Sequence, residues 1–166
     1  MEIALLANDS KKELMVQFCI AYCGVLAKHR VCATKATGSM ISEATGLRIE
    51  QLLPGGQGGI SQLTSRISFN EIDVLIYFRD SLPHDIEHKM NDDSLIRACD
   101  VNNVPVATNI GTAEVIITAL DRGDLDWRNF VNPNSSYNRK KNARKKVIIC
   151  RYLQIGIPTY FIGGFK

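Results

Sequence analysis

The stretch Asp73-Val74-Leu75-Ile76-Tyr77-Phe78 is the clearest strand signal in the chain. After Asp73 it continues without a polar interruption, and it is built from β-branched, aliphatic and aromatic residues. A short unbroken apolar run of this kind is typical of a parallel strand that is buried on both faces. Polar and charged residues follow it at once, in the segment 79–88. The stretch therefore predicts a central strand of a parallel sheet whose carboxyl end meets a polar loop.

Similar but weaker signals surround this strand. Apolar runs predict further strands at 2–7, 30–33, 49–53 and 104–107, where Pro105 indicates a sheet edge. Apolar residues at helical spacing predict helices at 11–28, 41–44, 60–67, 92–101 and 112–120, with Ser10 as the N-cap of the first. Strands that alternate with helices predict an α/β fold: a single three-layer domain with a mainly parallel sheet covered by helices on both faces.

Length and composition agree with one globular domain. The chain has 166 residues, 45% of them hydrophobic and 22% charged. No apolar run is long enough to span a bilayer, and the first residues lack the basic segment of a signal peptide. The number of cysteines is odd, and they form no CxxC pair: Cys19, Cys23, Cys32, Cys99 and Cys150. We therefore expect a cytoplasmic protein with reduced thiols, no metal site and no membrane association.

The charge is distributed unevenly along the chain. Eight of the 20 Lys and Arg residues, and no acidic residue, lie in 137–166, which leaves 12 basic and 17 acidic residues in 1–136. We therefore predict an α/β domain at 1–131 and a basic and apolar C-terminal extension at 132–166. The acidic balance of the domain argues against a nucleic-acid partner. A role for the extension in binding nucleic acid or a partner protein stays open as a weaker alternative.

Three polar loops follow predicted strands at what would be one edge of the sheet. They are Asn8-Asp9-Ser10-Lys11-Lys12, Thr34-Lys35-Ala36-Thr37-Gly38 and Pro54-Gly55-Gly56-Gln57-Gly58-Gly59. Each alone has an ordinary explanation, as a helix cap with solvated lysines, a second helix cap and a mobile turn. Together, amides at helix N-termini, a lysine and a glycine-rich backbone favour a phosphate-binding site at the carboxyl ends of the strands.

The segment 79–88 follows the strongest strand and carries histidine, arginine and three carboxylates. A carboxylate and an imidazole with tunable pKa values are the groups used for general acid–base catalysis. A charged surface loop is the alternative interpretation of the same residues.

Several motifs resemble those of bacterial methylglyoxal synthases in order and spacing, across about residues 2 to 130. They are Ile3-Ala4-Leu5 with Asn8-Asp9-x-x-Lys12, Ala33-Thr34-x-x-Thr37-Gly38, Ile41-x-x-Ala44-Thr45-Gly46, Gly58-Gly59, 73–80, Pro83-His84, Ala107-Thr108-Asn109 and 119–126. The resemblance implies a lyase that converts dihydroxyacetone phosphate to methylglyoxal and phosphate through an enediolate. It also implies a homo-oligomer, typically a hexamer, that uses no cofactor and that meets inorganic phosphate as product or inhibitor.

The resemblance also assigns residues to the site. It implies that the substrate and its phosphate are held at the positions of Asn8, Lys12, Thr34, Lys35, Ala36, Thr37, Pro54 and Gly55. It implies catalytic roles for His84, Glu87, Asp9 and Asp80. Asn8 replaces a family histidine, and Lys35 and Ala36 replace a glycine and a threonine.

The largest departure from the family is Ile60, which stands where the family has the aspartate that acts as base. Isoleucine cannot accept a proton, and loss of a general base costs about 10²–10⁴-fold in rate. Two hypotheses follow. The chain is a slow synthase, or one whose base has moved to Glu87, Asp9 or Asp85. Alternatively, it is a non-catalytic domain that binds or senses a phosphorylated metabolite, as in the similar allosteric domain of carbamoyl phosphate synthetase.

Overall fold

A computed structural model describes residues 1–80 and 86–128, with the backbone alone described for 86–91. The predicted extension at 132–166 and the segment around His84 lie outside the described residues. The boundary predicted at residue 131 stays a prediction.

Within the described residues, the sheet has five parallel strands in the order β3-β2-β1-β4-β5. Their bounds are β1 (Glu2–Ala7), β2 (Arg30–Thr34), β3 (Ile49–Leu52), β4 (Val74–Phe78) and β5 (Val106–Ala107). β1 lies at the centre, with Leu5 opposite Ala33 of β2 and Ile76 of β4. The predicted parallel sheet is confirmed, and the strand after Pro105 does lie at an edge.

In the part of the chain that the structure describes, six α-helices cover the sheet on its two faces. Their bounds are α1 (Lys12–Ala21), α2 (Cys23–Leu26), α3 (Lys35–Thr45), α4 (Gly59–Ser68), α5 (Ile86–Val101) and α6 (Ile110–Arg122). None of the helices in the described ranges has both the length and the apolar character needed to cross a membrane.

The alternation of side chains along β4 divides the interior into two cores. Val74, Ile76 and Phe78 pack with α1, α3 and α6 on one face. Leu75 and Tyr77 pack with α4 and α5 on the other. All five side chains are buried, so a central strand apolar on both faces supports a layer of helices on each side. The predicted three-layer α/β architecture is confirmed.

The first helix differs from its prediction at both ends. A 3₁₀ helix (Asp9–Lys11) precedes α1, and the chain leaves helical geometry at Tyr22 before α2 begins. Ser10 is not an N-cap. Its hydroxyl donates to Asp80 Oδ2 at 2.6 Å, while Lys11 N donates to the Asn8 carbonyl at 2.8 Å and begins the turn. A tertiary hydrogen bond thus replaces the predicted local one.

Three other helices begin two or more residues earlier than predicted. α3 begins at Lys35 directly after β2, because Thr37, Gly38 and Ile41 pack inward and override the poor helix propensity of threonine and glycine. α6 begins at Ile110, since Asn109 Oδ1 caps the amide of Thr112 at 3.0 Å. α5 begins at Ile86, six residues before the predicted start. The last strand is shorter than predicted, because Val104 N bonds to the Cys99 carbonyl in the preceding turn.

The free energy of unfolding is expected to fall on mild acidification, and His29 is one cause. Burial, followed by the charges of the N-terminal amine and Lys28, lowers the pKa of His29 from 6.5 to about 4. Between these pH values the unfolded chain binds a proton that the folded chain does not. Stability is therefore retained above the unfolded pKa and is lost as the pH falls toward the folded one. Urea unfolding at neutral pH and near pH 5 measures the loss, which should be smaller in His29→Gln. An equal loss in both proteins would contradict this assignment.

Candidate active site

The strand order creates a crevice at the carboxyl end of β1. The chain builds β2 and β3 on one side of β1 and then crosses to β4 and β5 on the other. Parallel α/β sheets bind ligands at such a switch point. A pocket of about 990 Å³ opens there. Its lining residues come from the ends of the strands and the first turns of the helices: Leu6, Ala7, Asn8, Asp9, Ser10, Lys12, Thr34, Ala36, Pro54, Gly55, Gly56, Gly58, Ile60, Ser61, Tyr77, Asp80 and Asp92.

The loop after β1 brings a cation into this pocket. Asn8 N donates to the Phe78 carbonyl at 3.1 Å, which ties the end of β1 to the end of β4. Lys12, in the first turn of α1, is 2.6 Å from Asp9 Oδ1, and its side chain is 23% exposed. Lys12 can therefore offer its ammonium group to an anion in the pocket, and Asp9 holds that group in place.

The N-terminus of α3 forms the neighbouring wall. Thr34 and Ala36 line the pocket. Thr37 is fully buried below them, and the Thr34 and Thr37 hydroxyls are 3.4 Å apart. The Thr34 hydroxyl does not cap the helix, so it accepts no hydrogen bond from the first amides of α3. Helix N-terminal amides favour anions. Lys35 is exposed and does not line the pocket.

The glycine-rich loop forms the third wall, and its backbone needs glycine at two positions. Gly58 has φ +91°, in the left-handed region that side chains disfavour. A Cβ at Gly59 would collide with the Leu53 carbonyl oxygen and lie 2.9 Å from that of Pro54. The loop therefore brings the backbone at Pro54 and Gly55 against the pocket in a tight conformation.

Ile60 follows this loop in the first turn of α4 and lines the pocket. It is partly buried and packs on the core that α4 and α5 form with the sheet. The position where the resemblance implies a base is thus a hydrocarbon surface, continuous with the core on that face.

Two further carboxylates, besides Asp9, line the pocket. Asp80 accepts the hydrogen bond from Ser10. Asp92, on α5, accepts one from the Tyr77 hydroxyl at 2.6 Å and has Arg79 at 3.7 Å from its other oxygen. Burial, followed by the hydrogen bond and the charge of Asp92, raises the pKa of Tyr77, so the phenol keeps its proton. These contacts give the pocket an ordered acidic wall.

The structure brings together most of the residues predicted for the site. Two of the predicted residues, Lys35 and Thr37, do not line the pocket. His84 lies outside the described residues, and of Glu87 only the backbone is described, in the first turn of α5. Tyr77 and Asp92 also line the pocket, and neither residue was predicted for the site. The spacing of residues carried a signal for both. Tyr77 lies two residues after Leu75 and so on the same face of β4, and Asp92 lies three residues before Leu95 and so on the same face of α5.

The four cysteines in the described part of the chain do not line this pocket. Burial raises the pKa values of Cys19, Cys32 and Cys99 to about 12, so these thiols stay protonated. Among the side chains that the structure describes, no three His, Cys, Asp or Glu residues cluster in a way that could hold a metal ion.

Comparison with known proteins connects this geometry to a family. The family model of the MGS-like domain matches residues 15–108. The chain is 53% identical over 139 residues to the methylglyoxal synthase of Caldicellulosiruptor saccharolyticus, which covers 84% of this chain and 98% of that protein. It is 46% identical over 145 residues to the methylglyoxal synthase of Geobacillus thermodenitrificans, covering 87% and 100%. The crystal structure of methylglyoxal synthase from Elizabethkingia anophelis superposes with a TM-score of 0.63 at 36% identity, covering 70% of this chain and 76% of that one. The chain therefore belongs to the methylglyoxal synthase family, a family of lyases.

Proposed function

We propose that the chain binds dihydroxyacetone phosphate and eliminates phosphate from it to form methylglyoxal. The observation that carries this proposal is the convergence of Lys12, the α3 N-terminus and the Gly55 backbone on one pocket. A phosphate group suits this combination because an ammonium group and free amides bind anions together. Inorganic phosphate, the second product, would occupy the same place and inhibit.

The reaction needs a base and groups that stabilise the negative charge that develops on the substrate oxygens. A base removes a proton from the hydroxymethyl carbon, and the C–H electron pair becomes the double bond of an enediolate. The carbon–oxygen bond to phosphate then breaks, and phosphate leaves with the electron pair while it takes the proton of the enediolate hydroxyl, whose O–H pair forms the aldehyde carbonyl. The enolate that remains takes up a proton on its terminal carbon to give methylglyoxal. We assign His84 and Asp80 to the substrate oxygens and Asp9 to the orientation of Lys12, which it contacts at 2.6 Å. Glu87 is a candidate for proton transfer.

Turnover should be slow, because Ile60 has no proton-accepting group. The loss of a general base typically costs about 10²–10⁴-fold in rate. Phosphate binding should survive, since Ile60 supplies none of the groups that we propose to bind phosphate.

A second function, a non-catalytic sensor of a phosphorylated metabolite, is favoured by that same residue. Ile60 extends the apolar core into the pocket while the cationic and amide walls remain. This arrangement would retain binding without chemistry.

The test is an assay of methylglyoxal release from dihydroxyacetone phosphate, with binding of the same compound measured by calorimetry. We expect binding that inorganic phosphate competes for, together with slow release of methylglyoxal. Binding without any release supports the sensor, and the absence of both rules out the two functions together.

We also propose a homo-oligomer, a hexamer by analogy with the family, in the cytoplasm. Light scattering of the full chain measures the mass of the assembly directly. A monomer at micromolar concentration would contradict this part of the proposal.

A further inference from the structure

We propose that Asp92 is the proton acceptor of this site, in place of the carboxylate that Ile60 has replaced. The inference rests on the proposed lyase function and names the residue that performs its first step.

Helix geometry directs Asp92 into the pocket. Leu95 and Cys99, three and seven residues later on α5, are fully buried against the sheet. Side chains at this spacing share one face of a helix, so Asp92 extends the buried stripe of α5 toward the carboxyl ends of the strands. There it lines the pocket, with only 13% of its side chain exposed.

Two neighbours from β4 and its end orient the carboxylate. Tyr77 donates to Oδ1 at 2.6 Å, and Arg79 lies 3.7 Å from Oδ2 and 5.9 Å from the centre of the Tyr77 ring. The raised pKa of Tyr77 keeps the phenol a donor. A carboxylate has about four acceptor sites, so one hydrogen bond and one ion pair hold Asp92 in place and leave capacity for a proton from substrate.

The other two pocket carboxylates are placed less well for this step. The Asp9 side chain is 96% exposed and pairs with Lys12, the cation proposed to hold phosphate. Asp80 accepts the Ser10 hydroxyl at 2.6 Å, across the ends of β1 and β4. Asp92 instead enters from the face of the sheet that α4 and α5 cover, which is also the face of Ile60. A substrate carbon held against Ile60 would therefore meet the carboxylate on that same side.

The proposed step balances without a further reactant. The Asp92 carboxylate takes the proton from the hydroxymethyl carbon, the C–H pair forms the carbon–carbon double bond, and the carbonyl pair moves onto oxygen. Asp92 is then a neutral acid. As phosphate leaves with the carbon–oxygen electron pair, the hydroxyl of the former hydroxymethyl carbon gives its proton to the phosphate, and its O–H pair forms the aldehyde carbonyl. The neutral Asp92 acid then returns its proton to the terminal carbon of the resulting enolate, which becomes the methyl group of methylglyoxal.

The test measures proton abstraction separately from binding. Dihydroxyacetone phosphate is incubated with the protein in D₂O, and NMR follows the deuterium in the remaining substrate together with the methylglyoxal formed. We expect Asp92→Asn to bind the substrate as the parent does, and to lose abstraction by about 10²-fold or more. Asp93→Asn is the matched control, because Asp93 is the adjacent, exposed residue of the same helix. It should leave abstraction unchanged.

A variant of Tyr77 tests the positioning role and covers the case in which Asp92→Asn does not fold. Tyr77→Phe keeps the carboxylate and removes its hydrogen bond. We expect KM to stay near the parent value and kcat for proton abstraction to fall, because the carboxylate remains but loses the hydrogen bond that orients it in the pocket. An unchanged kcat would contradict the role of Tyr77 and the orientation of Asp92.

The outcomes separate this inference from the proposed function. Full abstraction by Asp92→Asn overturns the role of Asp92 and leaves the lyase function standing. If the parent is inert and Ile60→Asp turns over, Asp92 is not a base, although the site still suits the family reaction. If neither protein abstracts a proton, both proposals are wrong.

Discussion

The variant Ile60→Asp is expected to form methylglyoxal about 10- to 100-fold faster than the parent protein, a smaller gain than the full range of about 10²–10⁴-fold for a general base, because Asp92 already abstracts the proton in the parent. The new carboxylate would lie in the first turn of α4, where the amides of a helix N-terminus favour a negative charge. It would also lie in the pocket that Ile60 lines beside the anion-binding walls. Initial rates with dihydroxyacetone phosphate measure the effect, while the dissociation constant should change little.

Ile60→Asn is the matched control for this gain. Asparagine has nearly the shape of aspartate and removes the same hydrocarbon from the core, but it cannot act as a base. We expect Ile60→Asn to stay at or below the parent rate. An Ile60→Asp variant that binds substrate and remains as slow as Ile60→Asn would support the sensor function instead.

The second large effect is expected at the phosphate. Lys12→Met should weaken binding of both inorganic phosphate and dihydroxyacetone phosphate by about 10- to 100-fold, because a hydrogen bond to a charged group contributes about 1.5–3 kcal/mol. Methionine keeps most of the length of the side chain and removes the ammonium group that lies 2.6 Å from Asp9. Calorimetric titration with each ligand measures the loss.

Lys11→Met is the control, since Lys11 is the adjacent lysine and is not part of the pocket lining. It removes the same charge from the adjacent position, and we expect it to retain binding to within about twofold, because salt screens a charge that is not in contact with the bound anion. Equal losses in the two variants would indicate attraction by the overall charge of the loop in place of a defined site.

The sheet could be predicted because its signals are local. The apolar run at β4 and the switch to helical spacing after each strand are properties of short segments, and they require no knowledge of the fold. Helix starts were predicted less well. α3 begins at Lys35 because Thr37 and Ile41 are buried against the sheet, which compensates for a sequence of low helix propensity. Burial of this kind is a tertiary effect, so a local pattern cannot report it.

The same distinction applies to the pocket. The loops after β1, β2 and β3 could be predicted to meet at one pocket, because they follow the carboxyl ends of neighbouring parallel strands. The pairing of Tyr77 with Asp92 was not predictable, although each residue was visible in its own pattern. The two residues are separated by 15 positions and meet only because α5 packs back over β4.

By itself, the sequence determined the α/β class, the parallel sheet and the family, since each depends on residue type and spacing along the chain. Only the tertiary structure decided which side chains share the pocket. In the folded chain, Lys35 is exposed and Thr37 is buried. The Ser10 hydroxyl donates to Asp80 and does not cap a helix, and the Tyr77 hydroxyl donates to Asp92. The physical reason is that the direction of a side chain depends on where its helix begins and on what packs against it. Both are set by contacts between residues far apart in the chain.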